Sequence, residues 1–493
     1  MIRPINEWKK SAGELANYLG AENSADFEFS GITSNSNEIQ AGDLFVALPG
    51  AKNHGANFVD QAKSSGAVAV LTDTNGKEIV GNKLPVIVIQ DPRKELGVIA
   101  SWFYEFPSRS LSLVGITGTN GKTTTSSLLD EIWRYAQKQS ALIGTTGIAI
   151  GGENFQTTFT TPEAASLAAI FATTRERNIS LTAMEVSSHA IELNRIKGTH
   201  FKFVGFTNLT QDHLDFHGDI ESYFKAKARL FDNEYAELGF INIDDEYGAK
   251  LFKIAAIPVI GLSKSDRKAQ WYFESIVPLQ GGYEVAIRGT GGILIEGKIY
   301  LIGEHNLDNL LMASAMAFES GIDPLVIGNS FAHLVGAPGR LEQVAIGQKY
   351  LALVDYAHTP DAVARVLAAL RAQIKGKIIA VLGCGGDRDR TKRPLMGREL
   401  LNGSDLAIFT SDNPRSEDPN TILNEMVSGL EIRESDCIVL DRREAIALAV
   451  ANAADGDCVI LLGKGHEVGQ EISGVKYPFD DRIELARAIE ELG

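Results

Sequence analysis

The chain has 493 residues, of which 44% are hydrophobic and 22% are charged, and its formal net charge is −16. This composition is typical of a globular protein of about three domains, and the acidic balance excludes a general nucleic-acid-binding function. No apolar stretch approaches the ~18 residues of a membrane span, and the first residues lack the apolar segment of a secretion signal. The widely spaced cysteines Cys384, Cys437 and Cys458 fit reduced thiols. We therefore expect a cytoplasmic protein without a membrane span.

Residues 1–110 are predicted to form a small α/β domain. Short apolar runs alternate with turns rich in Gly, Asn and Asp, and a helix is predicted from about Lys94 to Tyr104. Phe106 and Pro107 mark the predicted end of this domain.

The next stretch, Leu111 to Thr125, reads as an apolar strand, a glycine-rich turn and the start of a helix. Glycines let backbone N–H groups close around phosphate oxygens, and a helix N-terminus adds positive partial charge. Gly118 and Gly121 stand where such a loop needs them, Lys122 would reach the β- and γ-phosphates, and the Thr123 hydroxyl would hold Mg²⁺. The sequence therefore predicts an ATP site.

One position departs from the strict phosphate-loop pattern. The first glycine of that pattern would fall at Ile116, although Gly115 and Gly118 flank it. The alternative interpretation is a glycine-rich turn that binds no ligand. The order of strand, glycines, Lys-Thr and helix favours the nucleotide site.

Residues 111–339 are predicted to form the central domain. Apolar runs alternate with helical stretches, which is typical of a largely parallel sheet. The piece from Tyr283 to Ile302 alternates in polarity and carries glycine turns, so we expect antiparallel hairpins there. Pro338 and Gly339 end the domain.

Residues 340–493 are predicted to form a Rossmann-like third domain. Its apolar runs GKIIAVLG, LAIFTSD, DCIVLD and DCVILLG are each followed by a polar stretch. Ligands of open parallel sheets bind outside the carboxyl ends of the strands, so these stretches predict one composite site. Ordinary polar connecting loops are the alternative.

Ten different motifs are distributed along nearly the whole chain. In order they are GTNGKTTT, MEVSSHA, TNLTQDHLDFHG, YFKAKARLF, GEHNLDN, PGRLE, VDYAHTPDA, GCGGDRDRTKRPLMG, SDNPRSEDP and GKGHE. Together they resemble the Mur ligases of peptidoglycan synthesis, and within that family the MurE type. The resemblance implies a UDP-sugar-binding domain at 1–110, an ATP-binding catalytic domain at 111–339 and an amino-acid-binding domain at 340–493.

The resemblance also implies a reaction. ATP would phosphorylate the free γ-carboxylate of D-Glu in UDP-N-acetylmuramoyl-L-Ala-D-Glu, and an amine would displace phosphate from the acyl phosphate. The amine expected here belongs to meso-diaminopimelate. We expect a monomer that uses ATP and Mg²⁺ and binds no nucleic acid.

For ATP and the metal, the resemblance carries roles over to individual positions. The implied metal ligands are Thr123, Glu185, His213 and Lys227, with Lys122, Glu185, His213 and Lys227 as the catalytic set. The implied nucleotide contacts are Gly118, Thr119, Asn120, Gly121, Lys122, Thr123, Thr124, Asn306, Asn309, Arg340, Asp355 and His358. Lys227 is implied to be carbamylated by CO₂, which requires a lowered lysine pKa; Lys225 is the alternative position.

For the UDP-sugar peptide and the amino acid, further positions match. The implied substrate contacts are Ser36, Thr160, Thr161, Ser187, Arg195, Arg388, Asp412, Asn413, Pro414, Arg415, Gly463 and Glu467. Diaminopimelate is lysine with an additional carboxylate at its far end, and Arg415 could bind that carboxylate bidentately. A surface Arg415 that pairs with Glu417 or Asp418 is the alternative.

Two other functions stay open from the sequence. One is a related ligase, either lysine-adding or a folate polyglutamate synthase, although the GGDRDRTKRP and DNPR stretches disfavour the folate type. The other is a P-loop module that binds ATP without ligating anything. ATP turnover that depends on an acceptor amine would discriminate these functions.

Overall fold

The computed structural model describes residues 2–20, 26–50, 53–279 and 281–492. The chain divides into two compact units. One consists of Met1–Phe273, Arg288–Ile293 and Asn309–Ile327, and the other of Glu274–Ile287, Leu294–Asp308 and Gly328–Gly493. In the described parts of the chain, no helix is long and apolar enough to cross a membrane.

The first unit begins with a small parallel sheet in the order β3-β4-β5-β6. Its elements are β1 Lys10–Ser11, α1 Ala12–Leu19, β2 Glu28–Phe29, β3 Gly31–Thr33, β4 Asp43–Val46, α2 Val59–Ser64, β5 Ala69–Thr72, α3 Thr74–Val80, β6 Val86–Val88 and α4 Pro92–Phe103. Leu44 and Leu71 of the sheet pack with Ile99 and Phe103 of α4. The helix predicted at about Lys94 therefore starts slightly earlier, where the Asp91 side chain caps its N-terminus.

The same unit continues into the central sheet. Its elements are β7 Ser112–Thr117, α5 Lys122–Tyr135, β8 Ser140–Gly144, β9 Gly147–Ile150, β10 Glu153–Phe155, α6 Ala164–Glu176, β11 Leu181–Glu185, α7 Ser188–Glu192, β12 Phe201–Phe206, α8 Leu214–His217, α9 Ile220–Ala228, β13 Ala236–Asn242, α10 Glu246–Ile254, β14 Val259–Ser263 and β15 Trp271–Leu279. The strand order is β10-β9-β8-β11-β7-β12-β13-β14-β15. All neighbours pair in parallel except β8-β9 and β9-β10.

The position of β7 in this sheet decides where the glycine-rich loop lies. β7 is flanked by β11 and β12, and all three run in parallel. The loop after β7 and the polar segments after β11 and β12 therefore leave the sheet at the same edge. This is the edge at which open parallel sheets bind ligands.

The next elements along the chain are β16 Gly282–Arg288, β17 Leu294–Ile299, α11 His305–Glu319, α12 Pro324–Ser330 and β18 Glu342–Gln343. β15 belongs to the first unit up to Phe273 and to the second from Glu274, and β16 and β17 follow it in sheet order. β16 and β17 lie in the region in which the alternating sequence pattern predicted hairpins.

The second unit contains a six-stranded sheet in the order β18-β19-β23-β20-β21-β22. Its further elements are β19 Leu351–Asp355, α13 Pro360–Arg371, β20 Ile378–Cys384, α14 Lys392–Gly403, β21 Leu406–Ser411, α15 Pro419–Val427, β22 Cys437–Ile438, α16 Arg442–Ala451, β23 Cys458–Leu462, β24 Gly469–Ile472, β25 Val475–Pro478 and α17 Asp481–Leu492. All pairs are parallel except β18-β19. Ala380 and Leu382 face one apolar core, whereas Ile379 and Val381 face the other, so both faces of the sheet are covered.

A fully buried ion pair supports the carboxyl ends of two strands in this sheet. The Arg442 guanidinium binds the Asp481 carboxylate through Nε at 2.8 Å and Nη2 at 2.6 Å. It also donates to the carbonyl oxygens of Ser411 and Leu462, at 3.4 and 3.0 Å. The ends of β21 and β23 are therefore fixed below the loops that follow them.

Candidate active site

The glycine-rich loop has the backbone that its sequence predicts. Gly118 and Gly121 have φ values of +147° and +85°, which favour glycine. A Cβ atom at Gly118 would collide with the Thr207 hydroxyl, and one at Gly121 would collide with the Asn309 side-chain oxygen. Close packing and backbone geometry both require glycine at these positions.

The loop is tied to the end of β12. The backbone N–H of Asn120 donates to Asn208 Oδ1 at 3.0 Å, and the Thr207 hydroxyl donates to the Asn120 carbonyl oxygen at 2.6 Å. The Thr119 hydroxyl donates to the Thr210 carbonyl at 3.2 Å. Thr124 is half-buried in the first turn of α5.

Two lysines converge on this loop. Lys122 Nζ donates to the carbonyl oxygens of Gly118 and Thr119, both at 3.0 Å, and Lys227 Nζ donates to the Gly118 carbonyl at 2.8 Å. Lys227 is 1% exposed, whereas its alternative Lys225 is exposed. Burial, followed by repulsion from the Lys122 charge, lowers the pKa of Lys227 well below its usual range.

Glu185 connects three elements around the start of α5. Its buried carboxylate accepts a hydrogen bond from the Thr123 hydroxyl at 3.0 Å. It also accepts bonds from the backbone N–H of Thr145 at 2.7 Å and from the Thr145 hydroxyl at 3.2 Å. The structure thus brings together Thr123 and Glu185, which the sequence had assigned to one site.

His213 lies at the rim of this region. Its backbone is left-handed, with φ of +53°, and its side chain is 48% exposed. Its Nε2 is 3.4 Å from Asp212 Oδ2, and its ring packs edge-on against His189 at 4.9 Å. His217, whose Nε2 is 2.9 Å from the Ser188 hydroxyl, also contacts His189. The MEVSSHA and HLDFH motifs contain these two additional histidines.

The predicted peptide-contacting residues form a hydrogen-bonded group beside Glu185. The Thr161 hydroxyl donates to the Glu185 carbonyl at 2.9 Å and lies 3.3 Å from the Ser187 hydroxyl. Arg195 donates to the Thr161 carbonyl at 3.1 Å, and its Nε lies 3.0 Å from a Glu163 oxygen.

Two other predicted contacts of this unit are Thr160, which directly precedes Thr161, and Ser36 in the N-terminal region. The Thr160 hydroxyl lies 3.1 Å from the Thr145 hydroxyl. Ser36 is half-buried in a short turn of the N-terminal region, Ser36–Glu38.

Of the two asparagines in α11, Asn309 belongs to the first unit and Asn306 to the second. Asn309 Oδ1 accepts from the Thr125 hydroxyl at 3.2 Å, and Asn306 Nδ2 donates to the Ile302 carbonyl at 2.8 Å. Both asparagines are buried.

The second unit brings Arg340, Asp355 and His358 to the end of β19. The Arg340 guanidinium lies over the Tyr356 ring at 5.0 Å, and His358 Nδ1 is 2.8 Å from the Tyr356 carbonyl oxygen. The Asp355 carboxylate accepts the backbone N–H groups of Leu341 and Ala357, both at 2.7 Å. Burial raises the pKa of Asp355, and the Arg340 charge opposes that shift.

The predicted amino-acid residues gather after β20, β21 and β23. Asn413 Nδ2 donates to Glu467 Oε2 at 2.7 Å, and Arg415 Nη1 donates to the Gly386 carbonyl at 2.7 Å. Arg388, in the loop after β20, is exposed. Gly463 has φ of +108° and packs against the Asp412 carboxylate.

Pro414 follows Asn413 in the same segment, and the Pro414 carbonyl stands against Gly386. Glu417 is not the partner of Arg415. Arg393 and Arg390 bind it instead, and the hydrogen bonds from Arg393, followed by the one from the Asp387 backbone N–H, lower its pKa to about 2.

Comparisons with known proteins assign the family. The model described as "Mur ligase family, catalytic domain" matches residues 28–104, "Mur ligase middle domain" matches 116–317, and "Mur ligase, glutamate ligase domain" matches 339–465. Together they cover most of the chain. The chain belongs to the Mur ligase family.

Relatives of this Mur ligase match it over most of its length. It is 45% identical to the UDP-N-acetylmuramoyl-L-alanyl-D-glutamate--2,6-diaminopimelate ligase of Streptomyces avermitilis, over 99% of this chain and 98% of the relative. The ligase of the same name from Aquifex aeolicus is 42% identical over 92% of each. The family, the α/β fold class and the ligase activity predicted from the sequence are confirmed.

Solved structures of other Mur ligases share this fold. A UDP-N-acetylmuramoyl-L-alanyl-D-glutamate--2,6-diaminopimelate ligase superposes with a TM-score of 0.73 at 34% identity, over 98% of this chain and 99% of that one. The MurF ligase from Thermotoga maritima in complex with ADP superposes at 0.60 with 17% identity, over 94% and 97%, which shows a shared fold.

The sequence had assigned no role to two residues of this site. Thr145 donates two hydrogen bonds to the Glu185 carboxylate, beside the one from Thr123. Lys464 is fully buried, and its Nζ donates to the Gly469 carbonyl at 2.8 Å and lies within 3.6 Å of the carboxylates of Asp412 and Glu467. Lys464 lies inside the GKGHE motif, and this position is the sequence signal from which a role at the site could have been expected.

Proposed function

We propose that this Mur ligase joins meso-2,6-diaminopimelate to the γ-carboxylate of D-Glu in UDP-N-acetylmuramoyl-L-Ala-D-Glu, using ATP. One observation carries the proposal. Arg415, Asn413 and Glu467 stand together at the strand ends of a chain that is 45% identical, over 99% of its length, to a 2,6-diaminopimelate ligase. A free carboxylate is a poor acyl donor, so ATP would convert it into an acyl phosphate before the amine attacks.

The first unit would carry out the phosphoryl transfer, which depends mostly on positioning and charge neutralisation. The loop from Gly118 to Gly121 would wrap the phosphates, and Lys122 would turn from its carbonyl partners towards them. Thr123, Glu185 and His213 would hold Mg²⁺. The hydroxyl of Thr123 and the carboxylate of Glu185 are oxygen donors 3.0 Å apart, which suits this ion. Bound Mg²⁺ would neutralise phosphate charge.

Lys227 would act as a carbamate. Its lowered pKa favours the neutral amine, which can attack CO₂. A C–N bond forms, one proton leaves to solvent, and the lysine becomes an anionic oxygen donor. Such a group would serve as a further metal ligand next to Gly118, where an unmodified lysine would be repelled.

The second unit would hold the amino acid. The Arg415 guanidinium would bind the distal carboxylate bidentately, Arg388 would bind the other carboxylate, and Glu467 would bind an ammonium group. Asp412, Asn413, Pro414 and Gly463 would shape the pocket. L-Lysine lacks the distal carboxylate and would leave Arg415 without its anion, which disfavours lysine.

Each of the three predicted domains would bind one of the substrates. Residues 1–110 would bind the UDP-sugar through Ser36, and Thr160, Thr161, Ser187 and Arg195 would contact the peptide. Residues 111–339 would bind ATP, also through Asn306 and Asn309, and residues 340–493 would bind the amino acid. Arg340, Asp355 and His358 would contact ATP. The enzyme would work as a cytoplasmic monomer.

The test is a ligation assay. Purified protein, ATP, Mg²⁺ and UDP-N-acetylmuramoyl-L-Ala-D-Glu are incubated with meso-diaminopimelate or L-lysine, and the nucleotide products are weighed by mass spectrometry. A tripeptide product with diaminopimelate alone is expected. Product with lysine alone would overturn the assignment of Arg415, and no product with either amine would overturn the ligase function itself.

A further inference from the structure

A β-hairpin forms hydrogen bonds with the backbone of Arg415. The hairpin consists of β24 and β25, joined by Ser473 and Gly474. The backbone N–H of Arg415 donates to the Glu471 carbonyl at 2.9 Å, and the backbone N–H of Ser473 donates to the Arg415 carbonyl at 2.6 Å. Both peptide groups of Arg415 are therefore bonded to this one hairpin.

The hairpin also holds the two residues at the start of the same segment. Gln470 Nε2 donates to the Asp412 carbonyl at 2.7 Å, and the backbone N–H of Glu471 donates to Asn413 Oδ1 at 2.9 Å. The buried Lys464 ammonium binds the Gly469 carbonyl at the base of the hairpin. The hairpin thus contacts Asp412, Asn413 and Arg415 at once.

Arg415 needs such support. Its φ of +52° lies in the left-handed region, which is unfavourable for a residue other than glycine. Its Nη1 binds the Gly386 carbonyl, and its Nε faces Glu471 Oε2 at 3.7 Å. Within the described parts of the chain, Nη2 has no hydrogen-bond partner, so this end of the guanidinium is available to a carboxylate.

We propose that the β24–β25 hairpin positions Arg415 and thereby sets the preference for an amine that carries a second carboxylate. The proposal rests on the proposed function and deepens it. The backbone contacts carry most of this effect, because the Arg415–Glu471 ion pair is long and its carboxylate is 43% exposed, so solvent screens it. Gln470 is a positioning residue as well, because its side chain holds the Asp412 carbonyl and does not itself bind the amine.

The hairpin turn offers a test that leaves the pocket untouched. Gly474 has φ of +78°, and a Cβ atom there would meet nothing within 4 Å. Gly474→Pro cannot adopt this φ and must rearrange the turn, whereas Gly474→Asn tolerates it and is the matched control. For Gly474→Pro we expect the KM for meso-diaminopimelate to rise about tenfold, with the KM values for ATP and the UDP-dipeptide within about twofold of wild type.

Two further variants separate the effect of the hydrogen bonds to the backbone of the Asp412–Arg415 segment from the effect of the Glu471 charge. Gln470→Leu removes the bond to the Asp412 carbonyl and should also raise the KM for the amino acid and reduce the preference over L-lysine. Glu471→Gln removes only the charge and should leave that preference within about threefold of wild type. A KM for diaminopimelate that stays unchanged in both Gly474→Pro and Gln470→Leu, or KM values that rise equally for all three substrates, would overturn the hairpin's role.

The amine preference of the wild-type protein distinguishes a failure of the hairpin's positioning role from a failure of the proposed function. If the wild type prefers lysine or forms no product, the proposed function fails before the hairpin is tested. If the wild type prefers diaminopimelate and the variants do not change that preference, only the positioning role fails.

Discussion

Lys122 and Lys227 donate hydrogen bonds to the same acceptor, the carbonyl oxygen of Gly118, at 3.0 and 2.8 Å. Two ammonium groups this close to one oxygen repel each other, and Lys227 is also buried. Burial and this repulsion both disfavour the protonated form of Lys227 and lower its pKa. Two of the predictions depend on this lowered pKa.

The first prediction concerns the pH dependence of stability. Unfolded lysine keeps its proton up to a pH of about 10.4, whereas folded Lys227 releases it at a lower pH. Between these two values the unfolded state binds more protons, so the free energy of unfolding rises with pH. Lys227→Met should remove this contribution and flatten the rise, as measured by urea unfolding from about pH 6 to about pH 10. Lys225→Met, at an exposed position of the same helix, should keep the wild-type slope.

The second prediction concerns the carbamate. Lys227→Met should lower kcat by roughly 100-fold or more, because the anionic ligand cannot form. Wild-type activity should fall when buffers are freed of CO₂ and return when bicarbonate is added, as followed by phosphate release. Lys225→Met should respond to bicarbonate as the wild type does. Activity that is indifferent to bicarbonate would exclude the modification.

The third prediction concerns Glu185. Glu185→Gln places an amide where three donors now point, so it loses hydrogen bonds as well as charge. We expect Mg²⁺-dependent activity to fall by roughly 100-fold and stability to fall by about 1–3 kcal/mol. Thr145→Ser keeps both donors of residue 145 and should stay near wild type. Magnesium titrations of the initial rate and urea unfolding measure the two effects.

The fourth prediction concerns Gly121. Gly121→Ala meets both a positive φ and the Asn309 oxygen, so the loop must shift. The KM for ATP should rise about tenfold. Gly152→Ala has a similar φ of +92° but no neighbour within 4 Å, so it should cost about 1 kcal/mol of stability and leave the KM for ATP unchanged. An equal KM for ATP in both variants would contradict the role of the Asn309 contact.

The fifth prediction concerns the buried pair Arg442–Asp481. Arg442→Met leaves the Asp481 carboxylate buried without its cation, so the free energy of unfolding should fall by about 3–5 kcal/mol. The double variant Arg442→Met with Asp481→Leu buries no charge and should recover part of that loss. Urea unfolding of the two single variants and the double variant measures the coupling; additive losses would contradict it.

Part of this molecule could be predicted from the sequence. The parallel sheets follow from apolar runs that alternate with helical stretches, and the loop before Lys122 follows from its glycines. The pairing of Thr123 with Glu185 could be expected, because β7 and β11 end at the same edge of one sheet. The predicted domain boundaries and the roles of the site residues stay predictions.

Other features could not be predicted, because they depend on contacts between distant segments. The burial that separates Lys227 from Lys225 comes from the packing of α9 against the loop, whereas both lysines look alike in a charged helix. Lys464 and Gln470 act through backbone carbonyls, which carry no sequence pattern. The left-handed backbone of Arg415 is stabilised by a hairpin more than fifty residues later in the chain.

The Arg442–Asp481 pair has a consequence for changing the amine that this enzyme accepts. The pair holds the ends of β21 and β23 through Ser411 and Leu462, and none of these residues is proposed to touch the amino acid. Side chains in the loops above can therefore be exchanged while the strands stay in place. The pocket proposed for the amino acid is thus separable from the sheet that carries it, and libraries confined to these loops are the direct route to ligases that accept other amines.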